Sequence, residues 1–222
     1  MDTERGWDRA RGLWWLALIG GISFFVAVHE HWTGPAIWVW KTTGVAFLAV
    51  WAAANAREKN GWLIAAALGF GALGDYLLDA RGLVTGAAAF AIGHLIAITL
   101  YLTNRRAQMT GSQRLLGVLT IPATLVIVWA MLSPAPGWWH AAVYSLFVAA
   151  MAAAAWTSRF PRYRTGIGAM LFLASDLFIF AGEGEVLSRK VTMWLVWPLY
   201  FGGQALIAWG VVKTLASEAR NN

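Results

Sequence analysis

GWLIAAALGFGALGDYLLD, residues 61–79, is the stretch that decides the fold. Read as a helix it spans ~28 Å, close to the ~30 Å thickness of a bilayer's hydrocarbon core. Its first fourteen residues hold no charge and little polarity, and then Asp75 interrupts. A carboxyl at that depth costs at least ~2.5 kcal/mol, so acids in such segments generally line a cavity and carry chemistry or transport. A second stretch of the same kind, residues 167–182, holds Asp176. Each acid follows a small residue, giving Gly74-Asp75 and Ser175-Asp176.

Outward from residues 61–79, charge clusters and Gly or Pro breaks divide the chain into eight apolar segments. They run over 13–29, 35–55, 61–79, 84–103, 113–132, 138–158, 163–182 and 191–215. The connections are too short for a soluble domain. The pattern predicts an all-α polytopic membrane bundle of eight transmembrane helices, forming one integral membrane domain over 1–222. Composition agrees, with 59% hydrophobic and only 13% charged residues among 222, about half the charge of a soluble domain. The first segment follows Arg5, Arg9 and Arg11 and superficially resembles a signal peptide. With no small-x-small cleavage site before His29 and further spans following at once, it reads as a retained first helix. Fifteen tryptophans suit a chain with many membrane–water boundaries.

The absence of cysteine excludes disulfides, thiolate catalysis and Cys-based metal sites. The net charge of +6 does not form a nucleic-acid-binding stripe, because the basic residues sit in short inter-helix loops. They report topology instead. Arg5, Arg9, Arg11, Arg57, Lys59, Arg105, Arg106, Arg114, Arg159, Arg162, Arg164, Lys213 and Arg220 fall on one side of the spans; only Arg81, Arg189 and Lys190 fall on the other. The positive-inside rule then puts both termini in the cytoplasm, in the inner (plasma) membrane if the cell is bacterial.

The two halves suggest a 4+4 parallel internal repeat. Leu73-Gly74-Asp75-Tyr76-Leu77 matches Ala174-Ser175-Asp176-Leu177-Phe178 at an offset of 101, and Phe47 with Ala52-Ala53-Ala54 matches Phe147 with Ala152-Ala153-Ala154 at 100. Phe90-Ala91-Ile92-Gly93-His94 resembles Tyr200-Phe201-Gly202-Gly203-Gln204 at 110.

Depth follows from a rise of ~1.5 Å per residue. Asp75 comes out ~21 Å and Asp176 ~20 Å from the cytoplasmic edge. Lys41 and Tyr144, on helices running the other way, lie ~9 Å from the outer edge, and His94 and Tyr200 ~14–15 Å. These groups share one layer in the outer half of the membrane, which scattered defects would not. Ala67, Gly71 and Gly74 precede Asp75, and Gly166 and Gly168 open the seventh span. Such small faces would bring the third and seventh helices together. Simpler roles exist for single members. Lys41 could snorkel to the outer interface, His94 could satisfy a partner across the bundle, and Asp79 reads as a rim residue beside Arg81. His29-Glu30-His31 is not a metal motif, since i and i+2 do not share a helix face.

Taken in order, several of these stretches resemble the YhhN family of lysoplasmalogenases. They are Gly74-Asp75-Tyr76-Leu77-Leu78, then Phe90-x-x-Gly93-His94 with Tyr101, then Gly168-Ala169-x-Leu171-Phe172-x-x-Ser175-Asp176, then Pro198-Leu199-Tyr200-x-x-x-Gln204-x-Leu206-Ile207. The resemblance runs from Lys41 to Ile207. It departs from the family at Thr42, where Pro is expected in many relatives. It implies an intramembrane ether hydrolase that splits the vinyl-ether bond of lysoplasmalogens (alkenyl-glycerophosphocholine or -ethanolamine) into a fatty aldehyde and a glycerophospho-base. The implied partners are a lipid substrate and the membrane, with no nucleic acid. The chemistry calls for no cofactor and no metal. It needs a positioned acid and a negative group beside a developing cation, roles that two carboxyl groups in different environments can divide. Asp75 and Asp176 are thus the expected catalytic pair. Tyr144, Tyr200, His94 and Gln204 would hold water or headgroup, and Lys41 would bind phosphate or bias a carboxylate.

Two other functions fit the same acids. A small proton- or cation-coupled transporter could use them as a relay. Against it, Pro122 and Pro198, the intraspan prolines, do not correspond under the repeat as broken-helix transporters would require. A metal-dependent intramembrane lipid hydrolase could join His94 to the acids.

Overall fold

The computed structural model describes residues 2–221; Met1 and Asn222 lie outside the described residues. The chain is all-helical: α1 Asp2–His29, α2 Pro35–Asn55, α3 Lys59–Arg81, α4 Leu83–Thr103, α5 Gly111–Leu132, α6 Trp138–Thr157, α7 Ile167–Glu183 and α8 Arg189–Asn221. A π-helical turn, Arg162–Gly166, leads into α7. Among the described residues, eight helices are long and apolar enough to cross a membrane, and the protein is an integral membrane protein. The helices follow the sequence-predicted spans, except that α1 and α8 continue well past theirs. Local chemistry sets several ends. Pro35 sits in the first turn of α2, where its missing N–H is no loss. Gly82, at φ 91°, lets the chain leave α3 and enter α4 at once. Thr110 and Gln113 form a reciprocal capping box at the start of α5.

The helices group into two compact units, Met1–Ile96 with Ala208–Asn222, and Ala97–Ile207. The division falls inside α4 and α8, whereas a four-plus-four repeat would divide the chain between α4 and α5. In the first unit, α2 packs against both α1 and α3. Its interior includes a cluster of three indoles: Trp14 lies 4.8 Å from Trp51 and 4.7 Å from Trp209, ring centre to ring centre. Trp51 is fully enclosed, so part of the tryptophan content serves packing and not a membrane boundary.

In the second unit, α6 packs against α5 and α7. On α6, Val148, Ala149 and residues 151–155 are all buried, so neighbouring backbones approach it closely. Helix α5 shows the opposite pattern. Its buried positions are Gln113, Thr120, Thr124 and Val128, one stripe at intervals of four and seven residues, while Val118 is 71% exposed. Polar groups inward and apolar groups outward is an arrangement water would destabilise and lipid accommodates. The inward hydroxyls are satisfied locally, Thr120 donating to the Leu116 carbonyl and Thr124 to that of Thr120, both at 2.7 Å.

The small residues near the acids work inside the units. A Cβ on Gly74 would lie 2.7 Å from the Phe90 ring, and one on Gly93 3.1 Å from the Ala67 carbonyl oxygen, so they fit α3 to α4. A Cβ on Gly168 would stand 2.7 Å from the Gly203 carbonyl oxygen, so α7 and α8 cross backbone to backbone. The sequence reading had assigned these small faces to joining α3 and α7; the nearest neighbours of Gly74 and Gly168 are on α4 and α8, and Gly166 faces Trp156 on α6. The offsets of 101 and 110 carry Ala67 and Gly93 onto Gly168 and Gly203.

Candidate active site

In the first unit, Asp75 on α3 is 3% exposed and His94 on α4 is 4% exposed. Gly74, the residue before Asp75, accepts the Phe90 ring. Phe90 lies one turn before His94, with the two rings stacked at 6.5 Å. Lys41 on α2 reaches Asp79 on α3, with Nζ 3.0 Å from Oδ2. Both are partly accessible, at 15% and 27% of their side-chain surfaces. Two separate expectations, a snorkelling lysine and a rim acid, thus meet in one ion pair. Asp79 lies one turn beyond Asp75 toward the end of α3, and Lys41 extends along its own stem to reach it. The sequence had placed Asp79 beside Arg81. Its spacing of four from Asp75 gave the only signal that it shares that helix face.

In the second unit, Asp176 on α7 is 6% exposed and forms the centre of a small polar group. The Tyr144 hydroxyl on α6 donates to Asp176 Oδ2 at 2.9 Å. The Ser175 hydroxyl donates to the Phe172 carbonyl at 2.7 Å and makes a longer contact of 3.4 Å to Asp176 Oδ1. Tyr144 is fixed in turn by Phe180, edge to face at 6.4 Å. Tyr200 on α8 is buried and packs edge to face on Phe172 at 5.1 Å, with Trp197 on its other side at 5.6 Å. Gln204, one turn beyond Tyr200, is buried as well. Ser145 was not singled out from the sequence, and Ser175 only as the small residue before Asp176. Ser175 is fully buried against Asp176, and Ser145, next to Tyr144, is buried with its hydroxyl unpartnered.

The structure therefore brings Tyr144 to Asp176 and places Tyr200 and Gln204 on one face of α8. It joins Lys41 to Asp79. Among the described residues, no three His, Asp or Glu side chains gather as metal ligands. Each acid is embedded in closely packed apolar helices, a setting in which electrostatic effects on a reacting group are large. An acid held by a tyrosine hydroxyl in such surroundings can move a proton or stabilise a cation at a fixed position.

The sequence model of the YhhN family matches residues 36–211. No curated protein and no solved structure matches the chain.

Proposed function

Since the chain belongs to the YhhN family, a lysoplasmalogenase-type family, we propose that it is an intramembrane hydrolase of lysoplasmalogens. The bond cleaved is the vinyl ether of an alkenyl-glycerophosphocholine or -ethanolamine. Protonation at the β-carbon of the vinyl ether generates an oxocarbenium ion. Water adds to the adjacent carbon, giving a hemiacetal that collapses to a fatty aldehyde and the free glycerophospho-base. One water is consumed, and the catalytic proton is returned.

The observation that carries this reading is the bonding of Asp176. Its Oδ2 accepts the Tyr144 hydroxyl at 2.9 Å, as a carboxylate oxygen does, while the Ser175 proton goes to the Phe172 carbonyl. Asp176 is accordingly the anion that stabilises the oxocarbenium ion and takes the proton from water. Asp75, a carboxyl group buried in the first unit, keeps the role the sequence suggested for it, the acid that protonates carbon. Tyr200, Gln204 and His94 hold water or headgroup. Lys41, paired with Asp79, offers a cation to the substrate phosphate. The distribution of Lys and Arg supports an orientation with both termini cytoplasmic.

Aldehyde release from purified Asp75→Asn and Asp176→Asn tests the assignment. Each is expected to lose at least ~100-fold in kcat, the scale of acid–base catalysis. Near-normal turnover in either variant removes that residue from the mechanism.

A further inference from the structure

Arg105, Arg106, Arg114, Arg159, Arg162 and Arg164 occupy the α4–α5 and α6–α7 connections and the start of α5, all in the second unit. No Asp or Glu occurs between Asp79 and Asp176, so these connections carry no counter-charge of their own. They are also held in place. Arg105 and Ser158 form an antiparallel bridge. The Arg106 amide donates to the Thr157 carbonyl at 3.1 Å, and the Arg159 amide to the Asn104 carbonyl at 2.8 Å. The Arg106 guanidinium donates to the Ser158 and Phe160 carbonyls, each at 3.2 Å, which fixes its charge without neutralising it.

Against this clasp the π-helical turn sets Arg162 and Arg164, leaving a cleft of about 480 Å³ lined by Arg106, Pro161, Arg162, Tyr163 and Arg164. π-helical turns occur disproportionately at functional sites. All the cations in the cleft are arginines, whose planar fork matches phosphate oxygens in pairs. Tyr163 is 70% exposed at the rim, with the Arg162 guanidinium 4.9 Å from its ring centre. A tyrosine so placed is at home at the level of lipid headgroups.

We propose that this cleft binds the phosphate of an anionic phospholipid from the cytoplasmic leaflet, a second lipid site distinct from the catalytic acids. The proposal rests on the orientation proposed above and is independent of the reaction. Free phosphate would satisfy the same arginines. Lipid is favoured because the cleft lies where α4 and α6 end and α7 begins, which the proposed orientation puts at the cytoplasmic boundary. The adjacent face of α5 also exposes Leu115, Leu116, Val118 and Leu119, to which acyl chains can attach.

Native mass spectrometry of the full chain in mild detergent, with phosphatidylglycerol or phosphatidylcholine added, provides the test. Phosphatidylglycerol is expected to be retained preferentially, and Arg162→Gln with Arg164→Gln to reduce that preference about thirtyfold, the effect of two interfacial arginines. Arg114→Gln removes an exposed cation outside the cleft and is expected to leave the preference intact. Equal retention of the two lipids by the wild type would overturn the proposal, as would an equal loss in Arg114→Gln. Displacement of phosphatidylglycerol by millimolar inorganic phosphate would reassign the cleft to a soluble anion. Absent aldehyde release with intact lipid preference would refute the reaction and leave the cleft standing.

Discussion

Replacing Gly168 by Ala puts one methyl group into the crossing of α7 and α8. That carbon would stand 2.7 Å from the Gly203 carbonyl oxygen, 2.9 Å from Leu206 Cβ and 3.0 Å from the Ile207 amide nitrogen. Two of the three obstacles are backbone, so no side-chain rotation relieves the overlap and the helices must separate. Overpacking of this kind costs about 1–3 kcal/mol. Gly202→Ala is the matched control. Its added methyl meets nothing within 4 Å, and exchanging Gly for Ala in a helix gains up to about 1 kcal/mol. The two variants are chemically identical substitutions and should differ by roughly 1–4 kcal/mol. For a chain of this length that corresponds to roughly 2–16 °C in midpoint. Heating in detergent, followed by size-exclusion recovery of monodisperse protein, reads the difference. Asp176 lies eight residues along α7 from Gly168, so aldehyde release by Gly168→Ala should fall as well. If Gly168→Ala melts with or above Gly202→Ala, the backbone-to-backbone crossing is wrong, and the setting of α7 that aims Asp176 at Tyr144 falls with it.

Tyr144→Phe removes one hydrogen bond to a charged acceptor and leaves the ring on Phe180. The loss, about 1.5–3 kcal/mol, belongs to the resting fold and should lower the thermal midpoint by roughly 3–12 °C, with a fall in kcat for aldehyde release as Asp176 loses the group that fixes it. Unchanged turnover would detach Tyr144 from the chemistry. A double-mutant cycle on Lys41→Met and Asp79→Asn, read by thermal recovery, should give a coupling of about 0.5–1 kcal/mol for this partly accessible pair. Strictly additive effects would show that the pair does not form.

The spans were legible because hydropathy is a sum over a window, and lipid-crossing helices satisfy it whatever they contact. Their outer limits were less so. α1 and α8 stay helical beyond their apolar stretches, where charged residues end the hydropathy signal but not the hydrogen bonding. Depth arithmetic identified Tyr144 and Asp176 as residues at one level, and a 2.9 Å hydrogen bond joins them. The same arithmetic aligned Lys41 with Asp75, yet the ammonium bonds Asp79. Backbone depth locates a Cα, whereas a lysine acts at the far end of four methylenes. Which neighbour a small residue admits was equally invisible. Gly74 and Gly168 advertise close approach, but the partner depends on tertiary packing with α4 and α8. Window averages also conceal face, so the inward threonines of α5 could not be told from its outward valines.

The contrast between α5 and α6 bears on how such a sequence can drift. On α5 most positions outside one stripe are exposed, so Leu, Val, Ile and Phe are interchangeable there and descendants can diverge freely at constant hydropathy. The alanines of α6 look like filler, the commonest and least distinctive residues in a membrane helix. Ala149 and the alanines at 152–155 are enclosed, and each can change only to glycine or serine without displacing a neighbouring helix. The least informative stretch to the eye is thus among the least free to vary, and divergence at constant hydropathy should collect along α5 while the interior of α6 stays small.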